Sequence, residues 1–131
     1  MSTELRMLVY ATAVLIACVL VQAIAGILAN GLPTQAGARD DLPPVKKFHG
    51  RATRTVMNHI EGLLMFAPLV LVAAVSNVSN QWTVMGAQLF FYARLAHAVL
   101  YWLGVPWLRA LAWGVSLAGT VIVLLALLGM I

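Results

Sequence analysis

Eight side chains of this sequence are of the kinds that hold and activate small charged molecules, and most recur at helical spacing. Arg51, Arg54, Asn58 and Glu61 stand at i, i+3, i+7 and i+10, which is one face of a helix. Arg94, His97 and Tyr101 stand at i, i+3 and i+7, again one face, and Arg109 follows further along. The first set offers two guanidinium forks, an amide and a carboxylate. The second offers a guanidinium, an imidazole and a phenol. Arginine is the natural bidentate ligand of a carboxylate, and Glu61 is a natural partner for an ammonium. Together they suit a small zwitterion with several carboxylates and at least one ammonium.

The elements that position these groups follow from composition. Of 131 residues, 63 % are hydrophobic and 9 % charged, against roughly 45–50 % and roughly 25 % in soluble domains. Mean hydropathy is +0.95. A soluble fold of this size keeps too much surface to hide that surplus, so it faces lipid. Soluble enzymes, nucleic-acid modules and disordered tails are excluded. Lys+Arg 8 against Asp+Glu 4 leaves a net charge of +4, in keeping with asymmetric membrane loops. The single cysteine, Cys18, lies in an apolar run. It excludes an internal disulfide and a multi-cysteine metal site and is expected to be a small buried hydrophobe. His49 and His59 are expected to be solvated or interfacial, and no metal site is expected.

A bilayer core of about 30 Å takes about 20 helical residues. Four spans are predicted, at about 5–29, 49–76, 81–103 and 106–131, in one transmembrane domain covering 1–131. Asn30-Gly31-Leu32-Pro33 ends the first, and Pro43-Pro44 keeps the following connection non-helical. Ser79 or Asn80 caps the third, and Pro106 suits the first turn of the fourth. Ala23-Ile24-Ala25 fits a signal-peptidase pattern, but the weakly basic start and the length of the stretch favour an uncleaved helix. Four spans leave Arg6 on one side and Arg39, Lys46, Lys47, Arg51, Arg54 and Arg109 on the other. The positive-inside rule makes the second side cytoplasmic. The expectation is a multi-pass protein of a bacterial inner membrane with residues 30–48 and 103–106 in the cytoplasm.

A charge at the bilayer centre costs roughly 2.5–3.5 kcal/mol. Arg54, Glu61 and Arg94 must therefore face protein or a wet cavity. They either enclose a charged guest or neutralise one another, for example Glu61 with Arg94. Trp82, Trp102 and Trp107 are expected to anchor the interfaces. Tyr101 shares a face with Arg94 and is read as part of the site.

Arg54-Thr55-Val56-Met57-Asn58-His59-Ile60-Glu61 reads R-x-x-x-N-x-x-E at the start of the second span. Arg94 to Tyr101 follows in the third, and Arg109 just after the next turn. Over nearly its whole length the chain resembles the MAPEG family, the membrane-associated proteins in eicosanoid and glutathione metabolism, which includes microsomal glutathione transferases and leukotriene C4 synthase. The resemblance implies an all-α integral membrane four-helix bundle that forms a homotrimer and binds glutathione as co-substrate between protomers. Carried over by position, Arg51, Arg54, Asn58, Glu61, Arg94, His97 and Tyr101 would hold glutathione, and Arg109 would stabilise its thiolate as the catalytic residue. His97 and Gly62 stand where some members have tyrosine.

The implied activity is that of a glutathione transferase or peroxidase. The thiolate would attack a lipophilic electrophile or a lipid hydroperoxide arriving from the bilayer, without a metal. The alternative is a membrane scaffold of the same fold without turnover. A small multidrug exporter is disfavoured, because such a pump needs a carboxylate inside the first span and Glu4 precedes the predicted start.

Overall fold

The computed structural model describes residues 1–131 and contains helices and connections without a strand. Helix α1 spans Thr3–Asn30, α2 Leu32–Ala36, α3 Lys47–Val75, α4 Gln81–Leu103 and α5 Pro106–Leu127. Local chemistry sets most of the ends. Ser2 accepts the backbone N–H of Leu5 at the start of α1. Gly31, at φ 83° and ψ 151°, takes an extended positive-φ conformation that glycine alone adopts readily, and its N–H closes α1 on the Ile27 carbonyl. Asn80 caps α4 by accepting from the Trp82 and Thr83 N–H groups, while the Thr83 hydroxyl takes the Asn80 N–H. Pro106 opens α5, where its missing N–H costs nothing.

One stretch differs from the sequence expectation. The connection after α1 contains the short helix α2, and α3 begins at Lys47. Helix α3, like the span predicted at about 49–76, runs through Pro68 without a break. Helix α3 tolerates Pro68 because, away from water, continued helix is the cheapest way to satisfy the neighbouring backbone groups, whereas α2 is exposed and opens with Pro33 in its first turn.

Three helices, α1, α3 and α5, are long and apolar enough to cross a membrane. Helix α4 has 23 residues but is less apolar, because Gln81, Gln88, Arg94 and His97 dilute it. Large apolar side chains such as Leu28, Leu64, Val75 and Leu111 are exposed, as lipid or an apolar partner requires. The protein is an integral membrane protein.

Helices α4 and α5 share the most extensive contact, α1 lies against α3 and α4, and α3 also touches α5. Small residues set the α4–α5 spacing. A Cβ on Gly86 would stand 2.6 Å from the Gly119 carbonyl oxygen, and one on Gly119 would stand 2.6 Å from that of Gly86. Such close backbone approach is how helices gain dispersion contact where lipid supplies no hydrophobic drive. The main core centres on Phe66 and Phe90, stacked at 3.9 Å between ring centroids, with Met7, Ala11, Val70, Ala87 and Val123 around them. A smaller cluster joins Cys18, Val56 and Ala98. Cys18 is fully buried, as its apolar setting foretells. Trp102, half-buried near the end of α4, packs against that smaller cluster with its indole nitrogen buried, which leaves only part of the ring for the expected anchoring of the interface. Trp107, 86 % exposed, remains available for that role.

Candidate functional site

The sequence-predicted polar residues fall into two connected layers. The outer layer is a cleft of about 280 Å³ where the start of α3, the end of α4 and the start of α5 meet. Arg51, Arg54, Tyr101 and Arg109 line it together with Gly104, Val105 and Pro106. Arg51 donates from Nε to the Trp102 carbonyl at 3.1 Å. Arg54 donates from Nε to the Tyr101 hydroxyl at 3.1 Å. The Arg109 guanidinium lies 4.6 Å from the Tyr101 ring centroid, a cation–π contact. Gly104, at φ 75°, turns the chain from α4 to α5 and leaves room for the Arg51 side chain beside it. Three guanidinium groups thus share one opening, and no acidic residue lines it. Their summed field attracts anions, and each fork keeps donors for a ligand carboxylate.

The inner layer lies beneath, inside the helix packing. Arg94 is 1 % exposed. Its Nη1 donates to the Asn58 side-chain oxygen at 2.9 Å and its Nε to His59 Nδ1 at 3.4 Å. The second interaction fixes a tautomer: His59 Nε2–H donates to the Ala11 carbonyl at 3.0 Å, leaving Nδ1 to accept. One chain of polar contacts therefore ties α1, α3 and α4. Arg94 Nη2 and both ring nitrogens of His97 are buried without a partner. The His97 ring meets Tyr101 edge-on at 5.5 Å, which links the two layers.

Helical geometry explains how the four residues on α3 divide. At about 100° per residue, Arg51 and Asn58 point within about 20° of each other, and so do Arg54 and Glu61, with the pairs about 60° apart. Arg51 and Asn58 are half-buried, whereas Arg54 and Glu61 are exposed. Glu61 joins neither layer, and the expected possibility of its neutralising Arg94 is not realised, since Arg94 bonds Asn58 and His59 instead.

Two buried groups were misplaced by the sequence reading. His59, expected at an interface, is fully buried. Its signal was positional: it continues the stripe of Ala52, Thr55, Val56, Gly62 and Phe66 that turns inward on α3. Glu4, placed before the first span, lies inside α1 and is 1 % exposed, accepting hydroxyl bonds from Ser79 and Thr83 at the end of the molecule away from the arginine cleft. A carboxylate is therefore present in that helix after all, though at its first turn.

Searches of curated protein sequences and of solved structures gave no match. The sequence profile of the MAPEG family matches residues 7–129, nearly the entire chain and every polar residue of both layers. The protein belongs to the MAPEG family.

Proposed function

We propose that the protein is a membrane-embedded glutathione-binding enzyme, a transferase or peroxidase acting on lipophilic electrophiles. The observation that carries this reading is the convergence of Arg51, Arg54 and Arg109 on one cleft without an acid among its lining residues. Glutathione has two carboxylates, which suit the forks of Arg51 and Arg54, and one ammonium, which suits Glu61. The unpartnered nitrogens of Arg94 and His97 favour a ligand or water reaching into the inner layer.

Arg109 takes the catalytic role. A free thiol has a pKa of about 8.5, and lowering it by about two units takes about 2.7 kcal/mol of thiolate stabilisation. One guanidinium in direct contact with the sulfur, with Arg51 and Arg54 adding to the positive field of the cleft, is of that strength. The thiol proton leaves to solvent at the mouth. The thiolate forms a carbon–sulfur bond with an electrophile arriving through lipid, as that carbon's bond to its leaving group, or its activated π bond, breaks and takes the electron pair. With a hydroperoxide the thiolate attacks the terminal oxygen, the O–O bond breaks to give the alcohol, and a second glutathione reduces the resulting sulfenic acid to the disulfide and water. No metal is called for in this scheme.

The same reading makes the chain one transmembrane domain of four spans, with α4 crossing because its Arg94 and His97 turn inward. It also makes the protein a homotrimer. Glu61 stands 14 residues into α3, about 21 Å along its axis at the usual rise, and is exposed there. Bare to lipid, such a carboxylate costs roughly 2.5–3.5 kcal/mol, which a neighbouring protomer and its bound ligand would remove. The cleft end carries most of the basic residues and is assigned to the cytoplasm of a bacterial inner membrane.

Calorimetric titration of the detergent-purified protein with glutathione, followed by conjugation and peroxidase assays, tests this. Binding with turnover is expected, and Arg54→Ala and Glu61→Ala each weaken binding at least tenfold, or about 1.4 kcal/mol. Wild-type affinity in both variants overturns the clamp. Binding without turnover leaves the scaffold reading.

A further inference from the structure

An arginine carries five N–H donors on one rigid plane, and only part of this set is taken up at Arg94. Its Nε donates to His59 Nδ1 at 3.4 Å and its Nη1 to the Asn58 side-chain oxygen at 2.9 Å. One bond alone leaves such a plane free to swing about it. Two bonds from different nitrogens fix its position and its rotation. The third nitrogen, Nη2, then has a set direction, and it is buried without a partner. Gly62 leaves the guanidinium its room: a Cβ there would already stand 3.5 Å from Arg94 Cζ and Nε.

His59 can hold Arg94 in one form only. Its Nε2 lies 3.0 Å from the Ala11 carbonyl oxygen, an acceptor, so Nε2 carries the hydrogen. Nδ1 is then bare and accepts from Arg94. The other neutral tautomer would set a bare Nε2 against the carbonyl oxygen and an N–H against the Arg94 N–H. An imidazolium would turn both an N–H and a positive charge on the guanidinium. His59 is 0 % exposed, so bulk water cannot come between the groups to mend either mismatch. One backbone carbonyl of α1 therefore decides that a side chain of α3 can hold Arg94 of α4.

We propose that His59 is a positioning residue of the glutathione site: kept as the Nε2–H tautomer by Ala11, it locks Arg94 so that Nη2 is presented to a ligand carboxylate. The assignment rests on the proposed enzyme and adds to it a residue that acts through Arg94 and touches no part of the ligand. The inner layer is thereby set apart from the outer one. Arg51 and Arg54 each hold one bond, from Nε, and keep both terminal amino groups free to follow a ligand. At Arg94 only Nη2 is left wholly free, and its direction is fixed before the ligand arrives.

The test uses the full chain in detergent, with calorimetric titration of glutathione beside the ultraviolet absorbance of the bound thiolate. His59→Phe keeps a ring and removes the acceptor. It is expected to weaken glutathione binding about tenfold, the low end for a hydrogen bond to a charged group. Saturating glutathione should still give the thiolate absorbance, because Arg109 is held by Tyr101 and not by Arg94. His59→Asn puts an amide oxygen where Nδ1 stands but is too short to reach Ala11. It is expected to bring affinity back to within about threefold of wild type. A residue that only filled space would give the opposite order, with His59→Phe the milder change. Where His59→Phe does not fold, two-bond proton–nitrogen NMR of histidine-labelled wild type decides. His59 is expected as the neutral Nε2–H tautomer with and without glutathione, and an Nδ1–H tautomer or an imidazolium overturns the assignment. So does wild-type affinity in His59→Phe, or an equal or larger loss in His59→Asn. Wild-type protein that binds no glutathione refutes the enzyme reading, and the hold on Arg94 then stands or falls by the tautomer.

Discussion

Asn58→Ala should unlock the interior of the protein, and the lone cysteine reports it. Asn58 gives buried Arg94 its shorter side-chain hydrogen bond, 2.9 Å, while the other, to His59, is 3.4 Å. Nη2 already has no partner, so the substitution leaves both terminal nitrogens of a buried cation unsatisfied. An ordinary interhelical hydrogen bond in a membrane protein is worth about 0.6 kcal/mol on average, about a threefold change in an opening equilibrium. A hydrogen bond to a charged group is worth about 1.5–3 kcal/mol, or about 10- to 150-fold. Burial of Arg94 favours the larger figure. Cys18 is 0 % exposed in the adjacent cluster, so a thiol-reactive dye labels it only after local opening, at a rate proportional to the open population. Labelling of Asn58→Ala in detergent should be at least tenfold faster than wild type. Asn58→Asp, which keeps an acceptor oxygen, should restore slow labelling, and Gln88→Ala on the exposed side of α4 should have no effect. A rate for Asn58→Ala within threefold of wild type would refute the claim that Asn58 holds Arg94 in place.

Other perturbations probe other parts of the molecule. Gly119→Ala puts a methyl 2.6 Å from the Gly86 carbonyl oxygen and 2.7 Å from the Phe90 nitrogen; it should destabilise the α4–α5 contact by about 1–3 kcal/mol and lower the unfolding temperature. Gly114→Ala, with nothing within 4 Å of the added methyl, should leave that temperature unchanged or raise it slightly, since alanine is the better helix former by about 0.5–1 kcal/mol. Arg109→Ala should retain glutathione binding and lose the thiolate ultraviolet absorbance, and normal absorbance would remove Arg109 from the role. Glu4→Ala should expose the start of α1 to proteolysis by removing its bonds to the Ser79 and Thr83 hydroxyls, of which only Thr83 has another acceptor, the Asn80 carbonyl, whereas Glu4→Gln, which still accepts, should resist.

The sequence carried the helices better than the interior. Turn chemistry announced itself at Asn80 and Pro106 because capping is local: the residues that cause it are adjacent in the chain. Arg51, Arg54, Tyr101 and Arg109 meet in one cleft, and spacing alone predicts the grouping within each helix. What spacing could not give is the rotation of α3 about its axis. A polar face spread over about 80° can be turned so that either edge points inward, and packing of Phe66 against Phe90 decides it. His59 was misread for that reason. Asn58 before it and Glu61 two residues after are polar, and only its neighbours at three, four and seven residues show that it turns inward. Glu4 was misread because hydropathy places a helix end by the cost of burying charge, and the cost here is offset by Ser79 and Thr83 across the fold, far away in sequence.

The two layers of the arginine site have different physical requirements. Arg94 must be fixed, because a cation buried among helices is tolerated only with its partners in place; Asn58 and His59 supply them from α3, and Ala11 anchors His59 from α1. The outer arginines need the opposite. Arg51 and Arg54 each hold one bond, from Nε, to a carbonyl or a phenol, and keep their terminal amino groups for something else. Arg109 is held only through the Tyr101 ring, a contact that orients a guanidinium without consuming its hydrogen-bond donors. Tyr101 is consequently the pivot of the site: its ring carries Arg109, its hydroxyl takes Arg54, and the same ring meets the unpartnered His97 below at a steep angle. Phenylalanine at this position keeps the ring contacts and drops the hydroxyl. It therefore separates orientation of Arg109 from orientation of Arg54, a division that alanine at the same position would blur.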